Sequence, residues 1–352
     1  MIVLYVYDYS ITLYIMMDRN NNLKLKYNYV VCGSGGYYAI GYNDIMGHPQ
    51  IKYHDNYLSG VDGFLMRSIV RLNFSRKINT LVKTPFSQIV NRCLFKNEFD
   101  RQSRICYLFF MNHNMIFNSS YPQYLRSIYP NVKIALYLQD LISSRSKHDL
   151  DMDYLKKVFD VILSYDKHDC ERYGLIYHPT PMSVVNVPDN KSISFSDVYY
   201  CGSAKGRYPL IHRIFEECQK QGLVCDFNIL ENPRDPVKDK LDGINYIHSP
   251  LSYIENLQHV VKTSCILEVM QEHAIGYTPR LWESIVYDKH LLSNNTEIVN
   301  SEYYKKGITH IFDDGFSFDL FRKDIETKVE YPALYKQKLS PIHLFQTIDN
   351  LF

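Results

Sequence analysis

Residues 266–295, ILEVMQEHAIGYTPRLWESIVYDKHLLSNN, constrain the fold more tightly than any other stretch. An apolar strand runs into a polar, glycine-containing loop. The loop opens an amphipathic helix, and a second apolar strand ends at Ser293–Asn295. Strand–loop–helix–strand is the parallel βαβ unit, in which ligands gather at strand carboxyl ends and helix amino ends. Gly276, Tyr277 and Thr278 sit at that mouth, with Arg280 in the first helical turn and Glu283 one turn deeper. Backbone N–H groups and an arginine suit an anion, and a carboxylate one turn in suits vicinal hydroxyls. A nucleotide sugar presents both.

The same alternation runs through most of the chain. KYNYVVCGSGGYY is a strand entering a glycine turn, and QIKYHDNY a second short strand. DGFLMRSIVRLNFSRKINTLVK reads as a basic amphipathic helix, and a further helix covers about 85–95. RICYLFFMNHN, NVKIALYLQDLI and VILSYD are buried strands separated by helical segments, and KHDCERYG is a helix closed by Gly174. Continuous apolar strands alternating with helices mean a parallel sheet covered on both faces. Residues 176–197 carry three prolines and many polar residues and mark a domain edge. A second series then begins with DVYYCGSAKGR and PLIHRIFEECQKQG, and SPIHLFQTIDNLF closes the chain with Ser340 as N-cap and Pro341 at the first helical position. The expected division is a peripheral extension over 1–25, α/β domains over 26–190 and 191–330, and a helical segment over 331–352.

Composition narrows the class. Of 352 residues, 46% are hydrophobic and 22% charged, which is globular, and the net charge of +1 gives no global reason to expect nucleic-acid binding. The 31 tyrosines are read as coding bias rather than as a stacking surface. The eight cysteines have no CxxC spacing and lie mostly in apolar runs, so they read as reduced thiols of a cytoplasmic protein. No His/Cys/Asp/Glu pattern has metal-ligand spacing, so no metal is expected. The opening MIVLYVYDYSITLYIMM is shorter than the ~20 residues of a membrane span and carries Asp8, and translation starting at Met17 is a working expectation.

Two α/β domains, a short linker and a late helix resemble the GT-B architecture of nucleotide-sugar-dependent glycosyltransferases. In particular they resemble the bacterial lipopolysaccharide-core, capsule and exopolysaccharide enzymes. YDKHDCERYGLIYHP, VYYCGSAKGRYPLIHRIFEECQKQG and the 266–295 stretch carry the likeness. It implies two Rossmann-like parallel-sheet domains facing a cleft, with the last helix crossing back to the first. The later domain would bind the nucleotide sugar, a substrate and not a cofactor. The earlier one would bind a glycan or lipid-linked glycan acceptor. Glu283 matches the glutamate that binds the donor ribose, and Gly276–Thr278 match the loop against the sugar-phosphate. Many retaining members carry a second glutamate eight residues earlier. Ile275 stands there, which favours inversion.

Each candidate has a plainer alternative. Gly202, Ser203, Lys205 and Arg207 form a βα turn that either contacts phosphate or is an ordinary turn with solvated basic residues. A lysine or arginine there can neutralise charge on a departing diphosphate, the role metal ions play elsewhere. Glu283 either binds a diol or complements the helix dipole, and Arg280 either binds phosphate or pairs with a neighbouring acid. Gln271, Glu272 and His273 stand where the transferred sugar would lie, or are surface residues. Gly33 and Gly35 begin a dinucleotide-type turn, but Tyr38 replaces its third glycine, so Gly35 and Gly36 read as a tight turn toward the acceptor. For the base that removes the acceptor proton, Asp140 is first choice and Asp166 and His168 are second, each with a capping or surface role as alternative. Asn112 is a candidate acceptor contact. The basic helix with Arg67, Arg71, Arg76, Lys77 and Lys83 either rests peripherally on the inner membrane or is a solvated face. The runners-up to a transferase are a nucleotide-sugar epimerase and a noncatalytic nucleotide-sugar or glycan-binding partner.

Overall fold

The computed structural model describes residues 23–33, 40–56, 58, 61–75, 78, 86–110, 118–139, 141–142, 150–204, 206–232, 236–270, 276–313 and 315–352. It divides into two units, Met1–Ser183 with Ser340–Phe352, and Val184–Leu339. The first division falls inside the proline-marked stretch, several residues before the expected 190/191.

The first unit alternates strands and helices: β1 (Asn28–Cys32), β2 (Ile51–His54), α1 (Phe64–Asn73), α2 (Ser87–Leu94), β3 (Ile105–Phe110), α3 (Ser120–Ile128), β4 (Lys133–Leu138), α4 (Met152–Val158), β5 (Val161–Ser164), α5 (Lys167–Tyr173) and β6 (Ile176–Tyr177). The second contains β7 (Ser196–Ser203), α6 (Tyr208–Lys220), β8 (Cys225–Leu230), β9 (Ile244–Ile247), α7 (Tyr253–Val261), β10 (Thr263–Glu268), α8 (Pro279–Val286), β11 (His290–Ser293), β12 (Thr309–Ile311), α9 (Phe318–Asp324) and α10 (Ala333–Leu339). A last helix, α11 (Pro341–Leu351), belongs to the first unit again. Each unit holds one six-stranded sheet, in orders β2-β1-β3-β4-β5-β6 and β12-β11-β10-β7-β8-β9, and the paired strands are parallel. The fold class is thus α/β with two Rossmann-like parallel sheets, as the sequence led us to expect.

The continuous apolar strands conceal a period of two. In β3, Ile105, Tyr107 and Phe109 enter one core with Val70, Val90, Leu125 and Leu155 of α1–α4. Cys106, Leu108 and Phe110 enter the opposite core, which α11 closes with Ile342, Leu344, Phe345 and Ile348. Both faces of β3 are covered, which explains its unbroken hydrophobicity.

Polar groups fix the helix in its seat. Asp349 accepts from the Tyr29 hydroxyl and the Lys26 N–H, both at 2.6 Å, and Tyr29 stacks edge-on against Phe345 at 4.7 Å. Asp44 gathers the two ends of the unit. Its N–H donates to Ser183 Oγ and its carboxylate accepts from Ser340 Oγ, each at 2.9 Å. Ser340 holds the expected N-cap position but makes no side-chain capping bond, and its hydroxyl donates to that carboxylate. Burial pushes the Asp44 carboxyl up to about 6, and the two serine hydroxyls oppose the rise.

Two helices differ from expectation. The basic helix is described only to Asn73, with the Phe74 N–H closing on Val70, and Arg76, Lys77 and Lys83 lie outside the described residues. The helix expected at 85–95 runs from Ser87 to Leu94. Gly174 closes α5 as expected, at φ 62° in the left-handed region that favours glycine. All eight cysteines are free thiols. The question of Met17 as a start lies outside the described residues.

Phe345 is fully buried, so Phe345→Ala should lower stability by about 3–5 kcal/mol, read as a shift of the urea midpoint. A change below about 1 kcal/mol would mean that α11 is not part of the first core.

Candidate functional site

The strand order of the second unit reverses between β7 and β10: the chain proceeds outward through β8 and β9, then returns to β10 and leaves through β11 and β12. At such a reversal the loops from two neighbouring strands part in opposite directions and leave a crevice at their carboxyl ends. Gly202, Ser203 and Arg207 follow from β7, and Gly276 to Glu283 follow from β10. The topology therefore brings together the donor-side residues expected from sequence, as far as they are described.

Arg207 spans the reversal. Its Nη2 donates to the Ser203 carbonyl at 2.5 Å and its Nη1 to the Val269 carbonyl at 2.8 Å, one from each strand end. Its Nε is buried without a partner. Arg280 reaches from the first turn of α8 and donates through Nη2 to the Cys201 carbonyl, with its guanidinium 5.8 Å above the Tyr200 ring. Burial and the like charge of Arg280 hold the Arg207 pKa below its ordinary value, although a guanidinium stays charged at neutral pH. Among the described residues neither arginine makes an ion pair. These hydrogen bonds go to neutral carbonyls, while, against burial, the Glu283 and Glu268 carboxyls, farther off, help to raise the Arg280 pKa. Gly202 leaves room for the arginines: a Cβ there would lie 3.0 Å from Tyr200 Oη and 3.1 Å from Arg280 Nη2.

A buried carboxylate that the sequence reading passed over, Glu268, holds the mouth in shape. It ends β10 at 1% exposure and accepts from the hydroxyls of Thr278 and Ser293, so it ties the loop before α8 to the end of β11. Burial raises its pKa and the two hydroxyls oppose the rise. Thr278 is the N-cap of α8, accepting from the Arg280 N–H at 3.2 Å, with Pro279 next in the helix. Asn295 Nδ2 donates to the Gly276 carbonyl at 2.8 Å, and Gly276 has φ 101°, a conformation that excludes most other residues. Tyr277 is buried edge-on against Trp282 at 5.6 Å.

Glu283 is 4% exposed and faces α7, accepting from Asn256 Nδ2 at 3.1 Å and from Tyr253. Burial pushes its carboxyl up to about 7, against the Arg280 charge and those hydrogen bonds. Asp166 and His168 lie in the first unit. Asp166 Oδ1 caps α5 by accepting from the Asp169 N–H at 2.8 Å, while Oδ2 is buried without a partner, and His168 is exposed on α5. Asp140, Gly35, Gly36, Asn112, Lys205, Gln271, Glu272 and His273 lie outside the described residues. No group of three or more metal-ligating side chains occurs among the described residues.

No family model matches this chain, and no curated protein matches it either. Among solved structures it is similar to an alpha-glucosyltransferase in complex with UDP-glucose and DNA containing an abasic site, at 14% identity and TM-score 0.47 over 90% of this chain and 93% of that one. It is also similar to a UDP-forming alpha,alpha-trehalose-phosphate synthase from Burkholderia vietnamiensis, at 10% identity and TM-score 0.47 over 93% and 95%. A third is the glycotransferase of kitacinnamycin, at 8% identity and TM-score 0.46 over 93% and 99%.

The Glu283 carboxyl rises from its ordinary 4.5 to about 7 on folding, so the folded state disfavours the ionised form. Its contribution to stability is fully present below 4.5 and is lost as pH rises through about 7. Glu283→Gln removes that titration. The variant should therefore gain about 2–3 kcal/mol on the parent between acid and neutral pH. Parallel stability curves for parent and variant across that window would refute the assignment.

Proposed function

We propose that this chain is a glycosyltransferase, taking its sugar from a nucleoside-diphosphate donor held at the β7/β10 crevice. The observation that carries the reading is the pair of guanidiniums, Arg207 and Arg280, fixed at the strand ends by backbone carbonyls and in no ion-pair contact among the described residues. Charge concentrated in this way, beside the amino end of α8, fits a diphosphate as well as closing the strand ends. Glu283, one helical turn on, accepts the vicinal hydroxyls of the nucleoside ribose.

In the reaction the bond between the anomeric carbon and the diphosphate oxygen breaks, and the acceptor oxygen bonds to that carbon. Negative charge grows on the departing diphosphate, where the two arginines stabilise it more in the transition state than in the bound donor. That assignment makes the transfer independent of a metal ion. The acceptor proton passes to a side-chain base, with Asp140 the residue assigned and Asp166 and His168 the second choices. A surface glycan or lipid-linked glycan of a bacterium supplies the accepting hydroxyl.

An acceptor of that kind fits one surface of the first unit. Phe64 and Leu65 at the start of α1 are 85% and 73% exposed, and Arg67 and Arg71 on the same helix are exposed as well. Apolar side chains beside exposed cations suit the headgroup region of an anionic bilayer. No helix among the described residues is long and apolar enough to cross a membrane. The association is therefore proposed as peripheral, on the cytoplasmic face.

A thermal-shift panel of UDP, GDP, ADP and their sugar derivatives should pick out one nucleotide by a raised Tm. Arg207→Ala and Arg280→Ala should each weaken its binding about 10- to 100-fold, as loss of charge-assisted hydrogen bonds requires. Nucleotide release that needs an acceptor glycan supports transfer, whereas sugar interconversion without acceptor would replace it by epimerisation. Vesicles containing anionic lipid should sediment the parent at low salt, and Phe64→Ser with Leu65→Ser should lose most of that binding. No sedimentation of the parent removes the membrane part of the proposal.

A further inference from the structure

A line of side chains under α7 ends on Glu283 and is not needed to build the sheet. Tyr199, buried in β7, donates its hydroxyl to Asn256 Oδ1 at 3.0 Å, and Asn256 Nδ2 donates to Glu283 Oε1 at 3.1 Å. The Tyr199 ring stacks on His259, 5.1 Å between centroids at 6°. His259 Nδ1 meets Asp226 Oδ2 at 2.5 Å. Asp226 Oδ1 accepts from Asn228 Nδ2, and Asn228 Oδ1 accepts from Asn245 Nδ2, both at 2.8 Å. The line thus begins on β9, crosses β8 and β7, and stops at α8.

We propose that Asn256 and Tyr199 are positioning residues for the Glu283 carboxyl, holding it in the one orientation from which it accepts the vicinal hydroxyls of a nucleoside ribose. The inference rests on the reading above, in which Glu283 takes a ligand diol. Two arguments support it. First, a link between α7 and α8 alone would be served by a neutral glutamine, without the cost of burying a charge. Second, an amide is nearly symmetric in shape, so nothing about packing decides which end of Asn256 faces the carboxylate. The ionised Glu283 carboxylate, which can only accept, takes Nδ2, and the Tyr199 hydroxyl holds the other end of the amide by donating to Oδ1. Stacking on His259, itself held by Asp226, removes the rotational freedom that would blur that choice.

The groups facing Glu283 can be named. They are Arg280 on its own helix, Tyr253 and Asn256 from α7, and Tyr199 and Cys201 from β7, with Asp226 and His259 beyond Tyr199. Asn256 and Tyr253 donate to the ionised form and so favour it. Removing the Asn256 donor therefore moves the Glu283 titration upward, and removing the Tyr199 hydroxyl moves it in the same direction by a smaller amount.

The test uses the full chain with Tyr199→Phe, which keeps the stacked ring, and Asn256→Ala. Binding is compared for UDP, GDP and ADP and for their 2′-deoxy forms, whose ratio reads the diol contact separately from the diphosphate. The parent should prefer the ribo form, and both variants should lose about 5- to 10-fold of that preference while binding inorganic pyrophosphate as the parent does. In parallel, carboxyl carbon NMR of glutamate-labelled, ligand-free protein should place the Glu283 titration higher in Asn256→Ala than in the parent. A preference unchanged in both variants, or a parent that binds nucleoside diphosphates with no ribo preference, overturns the inference and leaves the diphosphate reading standing. A parent that binds none of the nucleotides defeats the donor reading instead. The ligand-free titration then decides the rest: an unmoved Glu283 overturns the positioning role, and a raised one supports it.

Discussion

Parallel strands end with carbonyls that no neighbouring strand satisfies, and where strand order reverses two such ends lie side by side. In the second unit Arg207 answers that problem by donating to Ser203 from β7 and Val269 from β10. The same guanidinium that closes the backbone cannot also lose its charge, so closing the strand ends necessarily leaves a cation at the crevice. Arg280 repeats the arrangement on Cys201. Structure and electrostatics at this place are one feature: the residues that finish the sheet also make its mouth positive.

Carboxylates are distributed to match. Glu268 lies beneath the mouth with its charge met by two hydroxyls, and Glu283 lies one turn into α8 with its charge met by amide and phenol donors. Neither forms an ion pair with the arginines. Hydrogen-bonded burial keeps both carboxyls in place and makes them ionise less readily, although the Arg280 charge opposes that rise.

Local chemistry was readable from the sequence, and chemistry assembled from distant segments was not. Gly276, Thr278, Pro279 and Arg280 are consecutive features of one strand–loop–helix transition, so their roles as φ-positive turn, N-cap and first-turn cation follow from order alone. The start of the last helix was signalled by Ser340 and Pro341 and its return by the family resemblance, although the serine's donation to Asp44 was signalled by neither. Glu268 escaped notice because it ends an apolar run, where a charged residue reads as the strand's wet edge. Asn256 and Tyr199 meet only when α7 packs on β7, and no spacing within either segment announces it. Asp166 has a second role that its strand-end position did not show: its Oδ1 caps the next helix, while Oδ2 is buried without a partner. The continuous hydrophobicity of β3 disclosed that both faces were covered, but not that the second cover would be α11.

That cover has a consequence for the order of events in folding. The core formed by Tyr29, Leu108, Phe110 and Tyr137 is sealed by Ile342, Leu344, Phe345 and Ile348, which follow the entire second unit in the chain. Residues 184–339 are contiguous and can consolidate as soon as they leave the ribosome, whereas the segment translated earlier must wait for them with one sheet face uncovered. The part of the molecule made first is therefore the part completed last, and its exposed tyrosines and phenylalanines in the interval are natural substrates for a chaperone.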